Sequence, residues 1–213
     1  MTNYPAIWRI GTVANSNALL QEFEQALTGQ LRQVYPKNTD WTGITVLLGK
    51  KIDHTASLPK LTAFLEEFGR RNVLGATYFN LAPRSVLHRH RDMNGNLLFG
   101  VMRLHIPLKT NPKAIMEVQK KSYHMPADTL WALDTSGLHA LENSSDENRI
   151  HLVVDVKYGP ETAKYFPALS LPVAMHLTGF VFIVAGKVLR DVITKPASLL
   201  SRLRSLSTRI PGK

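Results

Sequence analysis

At 213 residues and 44% hydrophobic, the chain is long enough for one ordinary domain with a full apolar core and some extra chain. It has no cysteine, which excludes disulfides, zinc–thiolate sites, iron–sulfur clusters and a cysteine nucleophile; any metal must be held by His, Asp or Glu, a donor set that favours harder ions such as iron(II) or manganese over structural zinc. The net charge of +10 is unevenly spread, because residues 166–213 carry 7 Lys+Arg against 1 acid; the body is only mildly basic and holds no recognition motif, so a nucleic-acid partner is not expected.

The N-terminal stretch MTNYPAIWRIG has no basic segment leading into an apolar one, so it does not read as a signal peptide and a cytoplasmic chain is expected. Residues 15–31 read as a helix, with Leu19, Leu20, Phe23, Ala26 and Leu27 at helical spacing and Asn15 or Ser16 as cap. Residues 44–48 (ITVLL) predict a short strand. Residues 58–68 predict a second helix, with Pro59 in its first turn and Gly69 past its end. From Val73 the texture changes to short segments rich in β-branched and aromatic residues (VLGATYFNL, SVLHRH, LLFGVMRLHIPL, TLWALD, IHLVVDV) between Pro, Asn, Asp and Gly clusters. That pattern predicts an antiparallel sandwich or barrel with helices in front. There are no heptads and no internal repeats.

After Lys164 comes a run of 21 residues, Phe166–Gly186, without Asp, Glu, Lys or Arg, and then a Ser-, Leu- and Arg-rich segment. Its length suits a membrane span. Pro167, Pro172 and His176 weaken it, and the positive-inside rule would put the catalytic body outside the cytoplasm. Packing on the body or in a homodimer, and peripheral contact with the inner face of an anionic membrane, are the readings that fit better. The expected organisation is an N-terminal helical and β support over 1–72, a catalytic core over 73–164, and an apolar then basic helical tail over 165–213.

The stretch LHRHRD puts His88, His90 and Asp92 at alternating positions, where a strand would turn all three to one face. Two His and one carboxylate on one side of an ion leave positions open for co-substrate and oxygen. His139, in DTSGLHALEN, supplies the second His; His88 stays an alternative to His90, with a supporting or surface role favoured, while Arg89 and Arg91 should point away. Ten residues on, Arg149 opens RIHLVVDV and offers a bidentate fork to a dicarboxylate. Arg103 and His105 alternate in RLHIPL and can donate to a carboxylate in the same cavity. Asp134 reads as a strand end or turn cap, and Asn143 need not touch substrate. Trp131 and His151 read as core, although His151 can share a face with Arg149. Arg84, Tyr78 and Trp41 are open candidates for the pocket wall, and no substrate-binding residue is assigned.

Residues 83–156 resemble the aspartyl/asparaginyl β-hydroxylase family. The matching pieces are PRSVLHRHRD, RLHIPLKTNP, MPADTLWALDTSGLHALEN and RIHLVVDV, in the family's order. The resemblance implies a mainly β fold with flanking helices, a double-stranded β-helix (jelly roll, cupin-like). It implies an iron(II)- and 2-oxoglutarate-dependent dioxygenase that uses O2 to hydroxylate an unactivated carbon. By the same resemblance His90, Asp92 and His139 are the metal ligands, Arg149 grips 2-oxoglutarate, Arg103 and His105 assist there, and no catalytic side chain beyond the metal centre is assigned. Asp92, absent from the animal members, is similar to the bacterial amino-acid hydroxylase branch. The substrate implied is a small, amino-acid-like or carrier- or lipid-tethered molecule. The competing readings are a non-oxidative metal-binding cupin-like protein and a membrane-surface oxygenase acting on a lipid or glycan.

Overall fold

The computed structural model describes residues 5–35, 38–92, 96–168 and 171–194. Pro5–Ala168 form one compact unit, and the helix that follows belongs to a second. In chain order the first unit holds β1 (Ile7–Thr12), α1 (Ser16–Ala26), β2 (Arg32–Tyr35), β3 (Asn38–Leu48), β4 (Ile52–Asp53), α2 (Pro59–Glu66), β5 (Val73–Leu81), β6 (Ser85–His90), β7 (Val101–Lys109), β8 (Ala114–Val118), β9 (Lys121–His124), β10 (Thr129–Leu133), β11 (His139–Asn143) and β12 (Arg149–Lys157). The second holds α3 (Leu171–Thr194). The basic segment 195–213 lies outside the described residues.

The strands form two antiparallel sheets, the jelly-roll arrangement. The larger runs β1-β10-β7-β12-β5-β3-β2 with β4 on β3, and the smaller runs β6-β11-β8-β9. The sequence understates the N-terminal share of the larger sheet: β3 begins six residues before ITVLL, because the polar NTDWTG carries no strand signal, yet Trp41 to Leu48 pair with Leu81 to Gly75. α1 stops at Ala26, short of the expected end, where Leu27 N–H donates to Phe23 O and the Thr28 hydroxyl to Glu24 O. α2 starts at Pro59, and Gly69 sits past its end at φ 67°, a left-handed conformation that glycine adopts without strain.

α1 and α2 meet through Glu22, whose carboxylate accepts from the Lys60 and Leu61 backbone N–H groups at 2.8 and 2.9 Å, so an acid from one helix caps the other. Leu19, Phe23, Leu61 and Leu65 then pack on one face of the larger sheet, against Val46, Tyr78, Leu104, Ile106, Leu152 and Val154. The opposite face of the same strands carries Phe79, Arg103, His105, Arg149, His151 and Val153, which line a cavity closed from the other side by Leu87, Met116 and Leu141 of the smaller sheet. Strand alternation thus sorts apolar residues to the helix side and polar ones to the interior. Tyr78 falls on the helix side, fully buried and stacked on Phe23 at 4.9 Å. It is core and not pocket wall.

The Tyr78 hydroxyl is buried with no hydrogen-bond partner among the described residues. Tyr78→Phe removes that unmet group without opening a cavity. Urea unfolding of the variant should therefore show stability unchanged or raised by about 1–3 kcal/mol. Phe23→Ala, which empties the space beneath, should lower it by about 3–5 kcal/mol.

Candidate metal centre and acid-binding pocket

His90, Asp92 and His139 come together at one end of the cavity, with potential ligand atoms all within 4.8 Å of one another. The rings of His90 and His139 lie 4.2 Å apart. The way they meet differs from simple alternation. Leu141 pairs with Leu87 but His139 pairs with His90, so β6 has one residue more than β11 over this stretch. The bulge breaks the period. Ser85 and Leu87 face inward, His88 and Arg89 both face solvent, and His90 is returned to the interior. His88 therefore does not share the face of His90 and Asp92, and Arg89 pairs with Glu117 on the outer surface at 2.7 Å.

Both imidazoles are oriented by backbone carbonyls. His90 Nδ1 lies 2.8 Å from His88 O and His139 Nδ1 lies 2.9 Å from Gly137 O. A carbonyl only accepts, so each Nδ1 carries the proton and each Nε2 keeps its lone pair for a metal. Burial above all drives the His139 pKa down, to about 4, which keeps the ring neutral near pH 7. The turn before His139 is held by Asp134, whose carboxylate accepts from Ser136 N at 3.1 Å, Ser136 Oγ at 2.8 Å and Leu97 N at 3.3 Å. Gly137 is required there, since a Cβ would meet Ala6 Cβ at 2.8 Å. Arg91 donates to Ser136 O, tying β6's extension to the same turn. Asp134 is thus the turn cap that its position suggested. Asn143 is also structural, donating to Leu81, Ala82 and Glu147 carbonyls.

Asp92 is held at its backbone by Thr135 O and at its side chain by Arg103, whose Nη1 donates to Oδ2 at 2.5 Å. Arg103 is itself gripped by Asp155, from Nε at 2.8 Å and Nη2 at 2.9 Å. The pairing is direct, because Asp155 sits opposite Arg103 across β12 and β7. Burial alone would lower the Arg103 pKa, but Asp155 and Asp92 outweigh it and raise the pKa above the ordinary arginine value. Arg103 lines the cavity as expected and spends at least three of its donors on the two carboxylates. Asp155 carries no motif, and only its alternation with His151 and Val153 along the strand places it on this face.

Deeper in, Arg149 is 4% exposed and no carboxylate of the described residues pairs with it. Burial pulls its pKa down to about 9, so it remains a cation near neutrality. Its Nη2 lies 3.2 Å from His151 Nδ1, which must accept, leaving Nε2–H of His151 as a donor. That Nε2 and both ring nitrogens of His105 are buried without hydrogen-bond partners among the described residues. Burial, reinforced by Arg149, holds both histidines neutral, their pKa values well below the ordinary one. A buried unpaired cation beside unmet imidazole nitrogens is costly when empty and suits a carboxylate. His151, read from sequence as core, lines this cavity beside Arg149; the alternation R-x-H from Arg149 was the signal. Trp41 is half-buried, stacked on Phe79 at 5.2 Å and 6.5 Å from the His90 ring, and forms the cavity wall near the His90–Asp92–His139 cluster. Arg84 lies outside, paired with Asp146.

The buried neutral histidines set an acid limit on the metal-free protein. In the unfolded chain they take up protons near pH 6.5, whereas folded His139 does so only near pH 4. The unfolded state binds more protons between those values, so stability falls as pH drops through that window. His139 alone should account for about 3 kcal/mol. His105 and His151 add to the loss. Urea unfolding from pH 7 to pH 4 should show it, and His139→Gln should flatten the slope.

Residues 13–158 match the family model described as aspartyl/asparaginyl beta-hydroxylase. Among solved structures, an oxidoreductase of the 2OG-Fe(II) oxygenase family from Burkholderia pseudomallei is similar at 13% identity over 72% of this chain and 86% of that one, with a TM-score of 0.53. A Pseudomonas putida prolyl-4-hydroxylase matches at 10% identity over 73% and 94%, with a TM-score of 0.49. HygX from Streptomyces hygroscopicus, with nickel and 2-oxoglutarate bound, matches at 13% over 71% and 82%, with a TM-score of 0.48. At 13% identity the first of these speaks to the fold alone, whereas the family match spans most of the first unit and all the residues of the site. The chain belongs to the aspartyl/asparaginyl β-hydroxylase family.

Proposed function

We propose that the protein is an iron(II)- and 2-oxoglutarate-dependent dioxygenase that hydroxylates an unactivated carbon of a small, amino-acid-like or tethered substrate. The observation that carries this reading is Arg149, a buried cation without an acidic partner among the described residues, lining the same cavity as the His90–Asp92–His139 cluster. A non-oxidative metal site has no use for such a clamp. The donor set supports a divalent ion of the harder kind: two imidazoles with Nε2 free and one carboxylate.

Charge supports the pairing of metal and keto-acid. Asp92 and Asp155 bring two negative charges to the cavity, and Arg103 and Arg149 bring two positive ones. A divalent metal and a dicarboxylate dianion added together leave that balance intact. With both bound, the chemistry supplied is the conversion of 2-oxoglutarate, O2 and a C–H bond into succinate, CO2 and a C–OH, one oxygen atom going to each organic product.

The chain's own residues do the positioning. His88 O and Gly137 O fix the imidazole tautomers. Arg103, steadied by Asp155, holds the Asp92 carboxylate in place through its Nη1 donor. Arg149 grips the distal carboxylate as a fork, with His105 and His151 donating beside it. Leu87, Met116, Leu133, Leu141 and Val153 line the walls and keep water out, while the half-buried His90, Asp92 and Trp41 mark the side from which substrate enters.

Anaerobic addition of iron(II) and then 2-oxoglutarate, followed in the visible spectrum, tests the reading. A keto-acid chelated to iron(II) gives a weak charge-transfer band. The band should form, and His139→Ala should abolish it. Arg149→Gln leaves one carboxylate unpaired, which should weaken the apparent 2-oxoglutarate affinity about a hundredfold. Iron binding with no response to 2-oxoglutarate would instead favour a non-oxidative cupin-like metal protein.

A further inference from the structure

We propose that α3 is an anchor embedded in an anionic lipid bilayer. The span Val173–Arg190 is long and apolar enough to cross the hydrocarbon layer, and only 12% of it is buried in the protein. At 1.5 Å per residue these 18 residues rise about 27 Å, close to the roughly 30 Å of a bilayer core. The exposed apolar side chains do not form one stripe. Phe182, at 73% exposure, and Leu189 point one way, Val181 and Val188 another, and Ile183 a third. A second copy of the chain would cover one side of such a helix. Val173 and Phe180 are buried, with Leu177 and Val184 partly so on the same face, and the remaining arc, wider than one helix contact, is the part that an apolar solvent covers.

Charge separates embedding from surface contact. A helix lying in the headgroup plane carries a charged face along its length. Here no Asp, Glu, Lys or Arg occurs from Phe166 to Gly186, and the charges begin at Lys187 and Arg190, near the C-terminal end. Lysine and arginine at that depth extend their charged heads to the interface. Residues 195–213 then add five basic and no acidic residues. Such a segment is attracted to anionic headgroups by about 1 kcal/mol per basic residue near the surface. The apolar rod and the basic chain beyond it select the same partner. The inference draws on no residue of the cavity, and it departs from the packing or peripheral contact expected from sequence because the charges of α3 gather at one end instead of along a face.

Flotation of the full chain with vesicles tests it, using phosphatidylcholine alone and phosphatidylcholine mixed with phosphatidylglycerol. The protein should float with both, more fully with the anionic mixture, and should stay bound in high salt and alkaline carbonate. Phe182→Asp and Ile183→Asp each place a charge near mid-helix. Each should cut partitioning on the order of a hundredfold. Both side chains are exposed, so far-UV circular dichroism and metal binding should match the parent. Arg202→Gln with Arg204→Gln should reduce only the preference for the anionic vesicles. Release by high salt would overturn embedding and reduce the contact to electrostatics. A chain that fails to float and sediments as a dimer, with the dimer lost in Phe182→Asp, would assign the helix to a second copy.

Discussion

A strand buried on both faces must place its polar residues where they find partners, and that constraint organises this molecule. β7 and β12 lie at the middle of the larger sheet and are covered on one side by α1 and α2, on the other by the smaller sheet. Their alternation sends Met102, Leu104, Ile106, Leu152, Val154 and Val156 to the helix side and Arg103, His105, Arg149, His151 and Asp155 to the interior. Two guanidinium groups in a low-dielectric interior would each be prohibitive if left alone. Arg103 is met by Asp155 and Asp92 within the fold. Arg149 is not met by any carboxylate of the described residues, so a large electrostatic cost is left at one end of the cavity for a ligand to relieve. The apolar face of these strands holds the fold together, and the polar face carries an incomplete ion pair.

The second device is the bulge in β6. Without it, strand alternation would turn His90 outward with His88, or else turn Leu87 and Ser85 away from the core. The extra residue lets the strand contribute apolar packing up to Leu87 and an inward-facing imidazole at His90. The His88 carbonyl within the bulge accepts from the His90 ring, so the same irregularity that re-aims the side chain also fixes its tautomer. Opposite it, the Asp134–Gly137 turn does the same for His139. Each imidazole is thus oriented by the backbone of its own loop, which ties ligand geometry to local conformation and not to distant packing.

Much of this was legible in the residue order. Short strand-like segments from Val73, the spacing of His90, Asp92 and His139, and the pairs Arg103/His105 and Arg149/His151 on alternating positions all translate directly into the observed faces. What was not legible has physical reasons. A bulge changes hydrogen-bond register without altering composition, so LHRHRD reads as uniform alternation although His88 faces solvent. Asp155 belongs to the site through its partner across the sheet, and cross-strand register is a property of two segments that one segment does not reveal. The polar stretch 38–43 is a strand because it is paired, to β2 at Asn38, Thr42 and Gly43 and to β5 from Trp41 onward, and pairing partners are not written in its own composition. Tyr78 and Trp41 are both aromatic residues in strands and differ only in parity, which selects helix-side core for one and cavity wall for the other.

On the proposed reading, the arrangement also couples the two ligands. A dication entering the His–Asp–His cluster alone adds charge to a cavity that already contains Arg103 and Arg149, and a dianion entering alone meets Asp92 and Asp155. Each therefore lowers the electrostatic cost of the other, and by linkage the effect on affinity is reciprocal. Arg103 is the element through which the coupling is carried, since it lies between the metal carboxylate and Asp155 and lines the cavity that the dicarboxylate would occupy. Its charge is pinned by two acids, and Asp155 would go on balancing it if Asp92 held a metal. A site built in this way holds each ligand more tightly once the other is bound, which suits an oxygenase whose metal works with its co-substrate in place.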